Sequence, residues 1–142
     1  MRNIKELSLK EVEYVSFKLA RGWLTFNEPI PDFKTRYPNK LESCLITPFQ
    51  RFDQNPLYLG LAGKASIMFY LLIKNHPFLN GNKRIAMTTL LVLLYKNKKW
   101  LKVDQQGFYN HAMWVATSPP GAKDETVQYI SKFIKKYLVD IK

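Results

Sequence analysis

The stretch His76-Pro77-Phe78-Leu79-Asn80-Gly81-Asn82-Lys83-Arg84 decides how the chain folds, because two helical patterns meet at it. Upstream, Leu59, Ala62, Ala65, Phe69, Leu72 and Ile73 recur at helical spacing on one face. That helix must end near Asn75, since Pro77 disfavours the helical conformation at His76. Downstream, residues 82–97 read as a second helix. It is apolar nearly all round, through Ile85, Met87, Leu90, Leu91, Val92, Leu93 and Leu94, which marks the central helix of a domain.

Working outward, Ser8 and Glu11 fit a capping box, and Val12, Val15 and Leu19 continue it at helical spacing. A helix is predicted over 9–20, with Gly22 as its stop. Residues 27–57 hold five of the eight prolines, so only a short helix or a hairpin fits there. After the central helix come a short extended piece at 100–103, a modest helix at 105–116 and a loop at 118–121. A last helix at 123–139 has Val127, Ile130, Ile134 and Tyr137 on one face. The predicted fold is mainly all-α, a single domain over 1–142 with one small flap or hairpin.

Composition sets limits. A chain of 142 residues suits one domain and excludes a multidomain enzyme or a large barrel. At 46% hydrophobic and 14% aromatic it is too apolar for a disordered basic tail. Lys and Arg number 22 against 11 Asp and Glu, a net charge of +11. That charge suits an anionic partner or simply a soluble surface. No block of five like charges exists, so a basic arm is not expected, nor is nucleic acid as the main ligand. Cys44 is the single cysteine, which excludes an intrachain disulfide. Set in an apolar stretch, it reads as buried filler rather than a nucleophile. The two histidines are isolated, so no structural zinc site is indicated. The most apolar run, 85–95, is too short to span a membrane, and the first ten residues have no signal-peptide core. A soluble, cytoplasmic protein without a membrane partner is expected.

The joint itself carries chemistry. Asn80 is a favoured N-cap type, and Gly81 lets the backbone bend or approach a ligand. The helix start offers backbone N–H groups and a positive dipole end, which attract phosphate. Lys83 and Arg84 lie in the same first turn, where cations oppose the dipole unless an anion is held there. Either they hold that anion or they point to solvent. His76 is of the residue type that most often serves as a general base, or it is a partly buried structural residue. Phe78 reads as the anchor that pins the loop, and His111 as structural.

His-Pro-Phe-x-x-Gly-Asn-Lys-Arg resembles the signature of the Fic/Doc family, and Lys83 is similar to the Doc, or death-on-curing, toxin branch. The likeness runs over 41–138 and includes Leu41-Glu42-Ser43 with Pro48, and Gly63-Lys64-Ala65. The resemblance implies a compact Fic-type helical domain. It also implies a toxin of a toxin–antitoxin module that moves the γ-phosphate of ATP to a Ser or Thr hydroxyl of a translation factor similar to elongation factor Tu, arresting translation. In the family account the lysine takes the space of the distal phosphates, so the nucleotide binds reversed. By position, His76 would be the base. Gly81, Asn82, Lys83 and Arg84 would cradle phosphate, with Arg84 stabilising charge on the transferred group. The stretch 47–56, beginning Thr47-Pro48-Phe49, would be the flap that aligns the target.

One position departs from the pattern. Asn80 stands where the family has an acid that holds Mg²⁺, a hard ion that prefers charged oxygen ligands. Metal is then held through the nucleotide and Asn80, or Asp53 or Asp104 reaches in, or the enzyme is only a binder. Fic-type AMP or nucleotidyl transfer to a protein hydroxyl is the alternative activity, and a weakened Fic-fold binding protein the second alternative. The family's inhibitory Ser/Thr…Glu-Gly/Asn motif is missing, since none of the six glutamates precedes Gly or Asn. A separate, acidic antitoxin is therefore the expected control.

Overall fold

The computed structural model describes residues 3–23 and 29–141. Residues 27 and 28, the start of the proline-rich stretch 27–57, lie outside these. Among the described residues the chain forms six helices and two small antiparallel sheets of two strands each.

The Ser8–Glu11 capping box is present in both directions. Glu11 N–H donates to Ser8 Oγ and Ser8 N–H to Glu11 Oε1. It starts a helical rod, α1, over residues 9–23: an α turn at Leu9–Glu11, a wider π turn at Val12–Ser16, then α-helix over Phe17–Trp23. Gly22 lies inside the rod and does not stop it, and nothing in the sequence signals the π turn. Short helix α2 spans Lys40–Ile46. A hairpin follows, β1 Arg51–Phe52 and β2 Asn55–Pro56. Then come α3 Gly60–Lys74, α4 Asn82–Lys96, β3 Lys99–Leu101, α5 Gln105–Thr117, α6 Lys123–Tyr137 and β4 Leu138–Asp140. Residues 138 and 139, expected in the last helix, instead lie in β4 and pair with β3, Trp100 opposite Val139.

Helix α4 is central, with α3, α5 and α1 around it, and α6 packs on α3. Its apolar circumference is what such a position requires: Ile85, Ala86, Met87, Leu90, Leu93 and Leu94 are all buried. Cys44 is fully buried, and burial pushes its thiol up to about 12, so it is inert filler.

His111 is buried in an aromatic stack, its ring centroid 3.9 Å from that of Phe133 and nearly parallel to it. Phe69, Trp114 and Tyr129 complete its surroundings. Burial pushes its pKa down to about 4, below its ordinary 6.5. The unfolded chain therefore binds the extra proton between these values. Stability contributed by neutral His111 is complete above about pH 6.5 and is lost as pH falls towards 4. Urea titrations across that window are expected to show a shallower pH slope for His111→Phe than for the native chain.

Candidate active site

Helix α3 ends at Lys74 with Asn75 as its cap, as Pro77 requires. His76 follows in the left-handed region at φ 47°, which turns the chain sharply out of the helix. Its side chain is exposed, so it is not the buried structural histidine that was the alternative reading. It lines a cavity of about 460 Å³ between the start of α2 and the end of α3, with Asn39, Lys40, Ser43 and Lys74. The Tyr37 N–H donates to the Pro77 carbonyl at 2.9 Å and fixes the strand of chain beside it.

Two residues on, Phe78 is 1% exposed and packs edge-on to Phe17, with ring centroids 5.1 Å apart, and against Phe33 at 6.3 Å. It is the anchor expected of it. Gly81, not Asn80, is the N-cap of α4, and it sits at φ 72°. A Cβ there would meet the Pro29 carbonyl oxygen at 2.7 Å, so both conformation and space demand glycine. Asn80 lies outside the cap and is exposed.

The buried Asn82 amide braces the loop from within. Its Oδ1 accepts the Phe78 N–H at 3.0 Å and its Nδ2 donates to the Phe78 carbonyl at 2.9 Å. What Asn82 can offer an anion is therefore its backbone N–H. The first intrahelical bond of α4 runs from Ile85 N–H to the Gly81 carbonyl, so Asn82, Lys83 and Arg84 hold the opening N–H positions of the helix. Arg84 does not point to solvent. It is buried, and its Nη2 donates to the Ala20 carbonyl in the last turn of α1 at 2.6 Å. A cation at a helix C-terminus is favourably placed, which answers part of the conflict read from the sequence. Lys83 is half-buried.

Of the segment expected to act as a flap, Thr47-Pro48-Phe49 forms a 3-10 turn with Pro48 buried, and the extended part lies beyond it, at Arg51–Pro56. Asp53 and Gln54 close the hairpin with φ of 52° and 68°, both positive, the geometry of a two-residue I′ turn. Sequence reasoning missed Arg51 and Phe52. A turn built from Asp-Gln lacks the Asn-Gly or Asp-Gly signal that would have placed the strands.

The donor set does not build a Mg²⁺ site by itself. Asn80 supplies one neutral oxygen, and no group of three His, Cys, Asp or Glu gathers among the described residues. Asp104 is engaged as the N-cap of α5, accepting the Gly107 N–H at 2.6 Å, and Asp53 is in the hairpin turn.

The Fic/DOC family model matches residues 6–94, more than half of the chain. The chain belongs to the Fic/DOC family. Neither a curated protein nor a solved structure matches it. Membership in the Fic/DOC family implies a protein-modifying enzyme of the transferase type. The match begins just before α1, well ahead of residue 41, where the likeness of the motif residues starts. It ends inside α4, so α5 and α6 lie beyond it. Among the described residues of this Fic/DOC protein, no helix is long and apolar enough to cross a membrane.

Proposed function

We propose that this protein is a Doc-type toxin of a toxin–antitoxin module, a cytoplasmic protein kinase that moves the ATP γ-phosphate to a Ser or Thr hydroxyl of a translation factor similar to elongation factor Tu. The observation that carries the reading is Lys83 in the opening turn of α4, where the start of a helix attracts phosphate. With the lysine in that turn the nucleotide is turned so that its γ-phosphate faces His76. The exposed imidazole takes the proton of the acceptor hydroxyl. An oxygen–phosphorus bond forms, the bond to the ADP oxygen breaks, and ADP leaves. The α4 N–H groups and Lys83 hold the charge on the transferred group, while Arg84, turned inward to the Ala20 carbonyl, ties the start of α4 to α1. The flap lays the target segment across the site, and a separate acidic antitoxin restrains the enzyme.

ATP labelled at the γ or the α position, incubated with lysate, tests the reaction. Label from the γ position is expected on protein. Retention from the α position alone would replace the kinase by an AMP transferase.

Asn80 favours a second reading, a weakened enzyme that chiefly binds its partner. A carboxylate ~4 Å from a dication gains about 2 kcal/mol even at the dielectric of water. Asn80→Asp is therefore expected to lower the Mg²⁺ concentration for half-maximal labelling by roughly tenfold or more. An unchanged Mg²⁺ dependence would remove the metal role from this position.

A further inference from the structure

The corner between α5 and α6 lies beyond the stretch that matches the family, and the transfer reaction uses none of its residues. A cavity of about 380 Å³ opens there, between the end of α5, the loop at 118–121 and the first turns of α6. Trp114 and Tyr129 are its aromatic walls, 44% and 53% exposed. Their ring centroids are 4.7 Å apart and their planes are inclined at 52°, like a half-open book. His111 stands behind Trp114, nearly parallel to it at 6.0 Å, and steadies the wall. Thr117 and Pro119 complete the rim on the α5 side, and Glu125, one turn before Tyr129 on α6, brings a carboxylate. An acid in the first turn suits the dipole of α6, and that use leaves both carboxylate oxygens open.

The polar tips of this cavity are unengaged. Among the described residues the Trp114 indole N–H, the Tyr129 hydroxyl and the Glu125 carboxylate have no hydrogen bond or ion pair. The Thr117 hydroxyl donates to the Trp114 carbonyl at 3.0 Å and keeps its lone pairs for a donor. No lysine or arginine lines the cavity, although the chain has 22 of them. Other rings already lie under a cation, Phe33 under Arg36 at 4.5 Å and Tyr37 under Lys40 at 5.0 Å, whereas Trp114 and Tyr129 do not among the described residues. His111, with its pKa pushed down to about 4, adds no opposing charge near neutral pH. Aromatic faces, a carboxylate and hydroxyl lone pairs all attract positive charge. A guanidinium matches them best, because it is flat enough to stack on a ring while its N–H groups donate to a carboxylate.

We propose that the Trp114–Tyr129–Glu125 cavity is a binding site for the guanidinium of an arginine side chain presented by a partner protein. The planar head stacks on the aromatic wall and donates to the Glu125 carboxylate, and the Thr117 and Tyr129 oxygens accept what N–H groups remain. Free arginine fits less well, since its own carboxylate finds no cation in the cavity. Binding here needs no nucleotide and no residue of the 76–84 turn.

The test is a titration of the full ¹⁵N-labelled chain at constant ionic strength with acetyl-Gly-Arg-Gly-amide, read at the Trp114 indole N–H signal, which Trp114→Phe identifies. The signal is expected to move saturably in the millimolar range. The same peptide with citrulline, which keeps the shape and loses the charge, is expected to bind roughly tenfold more weakly. Glu125→Gln is expected to weaken the arginine peptide roughly threefold while leaving the citrulline peptide unchanged. Tyr129→Leu weakens the arginine peptide as well, and the conservative Glu125→Asp retains part of what Glu125→Gln loses. Equal binding of the arginine and citrulline peptides, no saturable shift, or an arginine affinity untouched by Glu125→Gln would each overturn the proposal. Tighter binding of free arginine than of the peptide would overturn its assignment to a partner protein.

Discussion

His76→Asn is expected to lower transfer of label from ATP to protein by about 10²–10⁴-fold, the usual contribution of a positioned general base. Asparagine is the informative replacement. His76 sits at φ 47°, and asparagine tolerates the left-handed region better than most residues, so the turn out of α3 is kept while the imidazole is lost. Since His76 is exposed and makes no core contact, the melting temperature is expected to stay within a degree or two. Rate and melting temperature measured on one preparation separate the chemistry from the fold. Full labelling by His76→Asn would remove this residue from the reaction and with it the proton transfer proposed above.

The second large effect is on stability. Phe78→Ala removes a ring that is 1% exposed and meets Phe17 edge-on at 5.1 Å. Truncating a buried phenylalanine costs about 3–5 kcal/mol, from lost transfer free energy and from the cavity left behind. At a few degrees per kcal/mol for a chain of this size, a fall of roughly 10–20 °C in melting temperature is expected. The effect reaches the site as well, because Asn82 grips the backbone of this same residue through two hydrogen bonds. Loosening Phe78 therefore loosens the start of α4, and labelling is expected to fall even at temperatures where the variant is folded. A loss of less than about 1 kcal/mol in urea unfolding would show that the loop is held mainly by other contacts.

Much of this was legible in the residues alone. The two patterns flanking residues 76–84 placed α3 and α4 to within a residue or two. Ser8 and Glu11 marked the start of α1. These signals are local: helical periodicity, a capping pair and a proline act over one or two turns, so the order of residues contains them. The motif around His76 was equally visible, and it pointed to the family that the match over 6–94 shows.

Other features depend on residues far apart in the chain, and only the folded chain settles them. Gly81 rather than Asn80 caps α4 because the Pro29 carbonyl stands where a Cβ would be. Arg84 turns inward because the end of α1, 64 residues earlier, presents the Ala20 carbonyl to it. Residues 138 and 139 leave the helix expected of them because β3 is there to pair with. The sequence determined by itself where the main helices lie and where the turn into α4 begins, since those follow from short-range sterics and amphipathic spacing. The tertiary structure decided which polar groups of that turn brace the loop and which way Arg84 points, since both depend on what packing brings alongside.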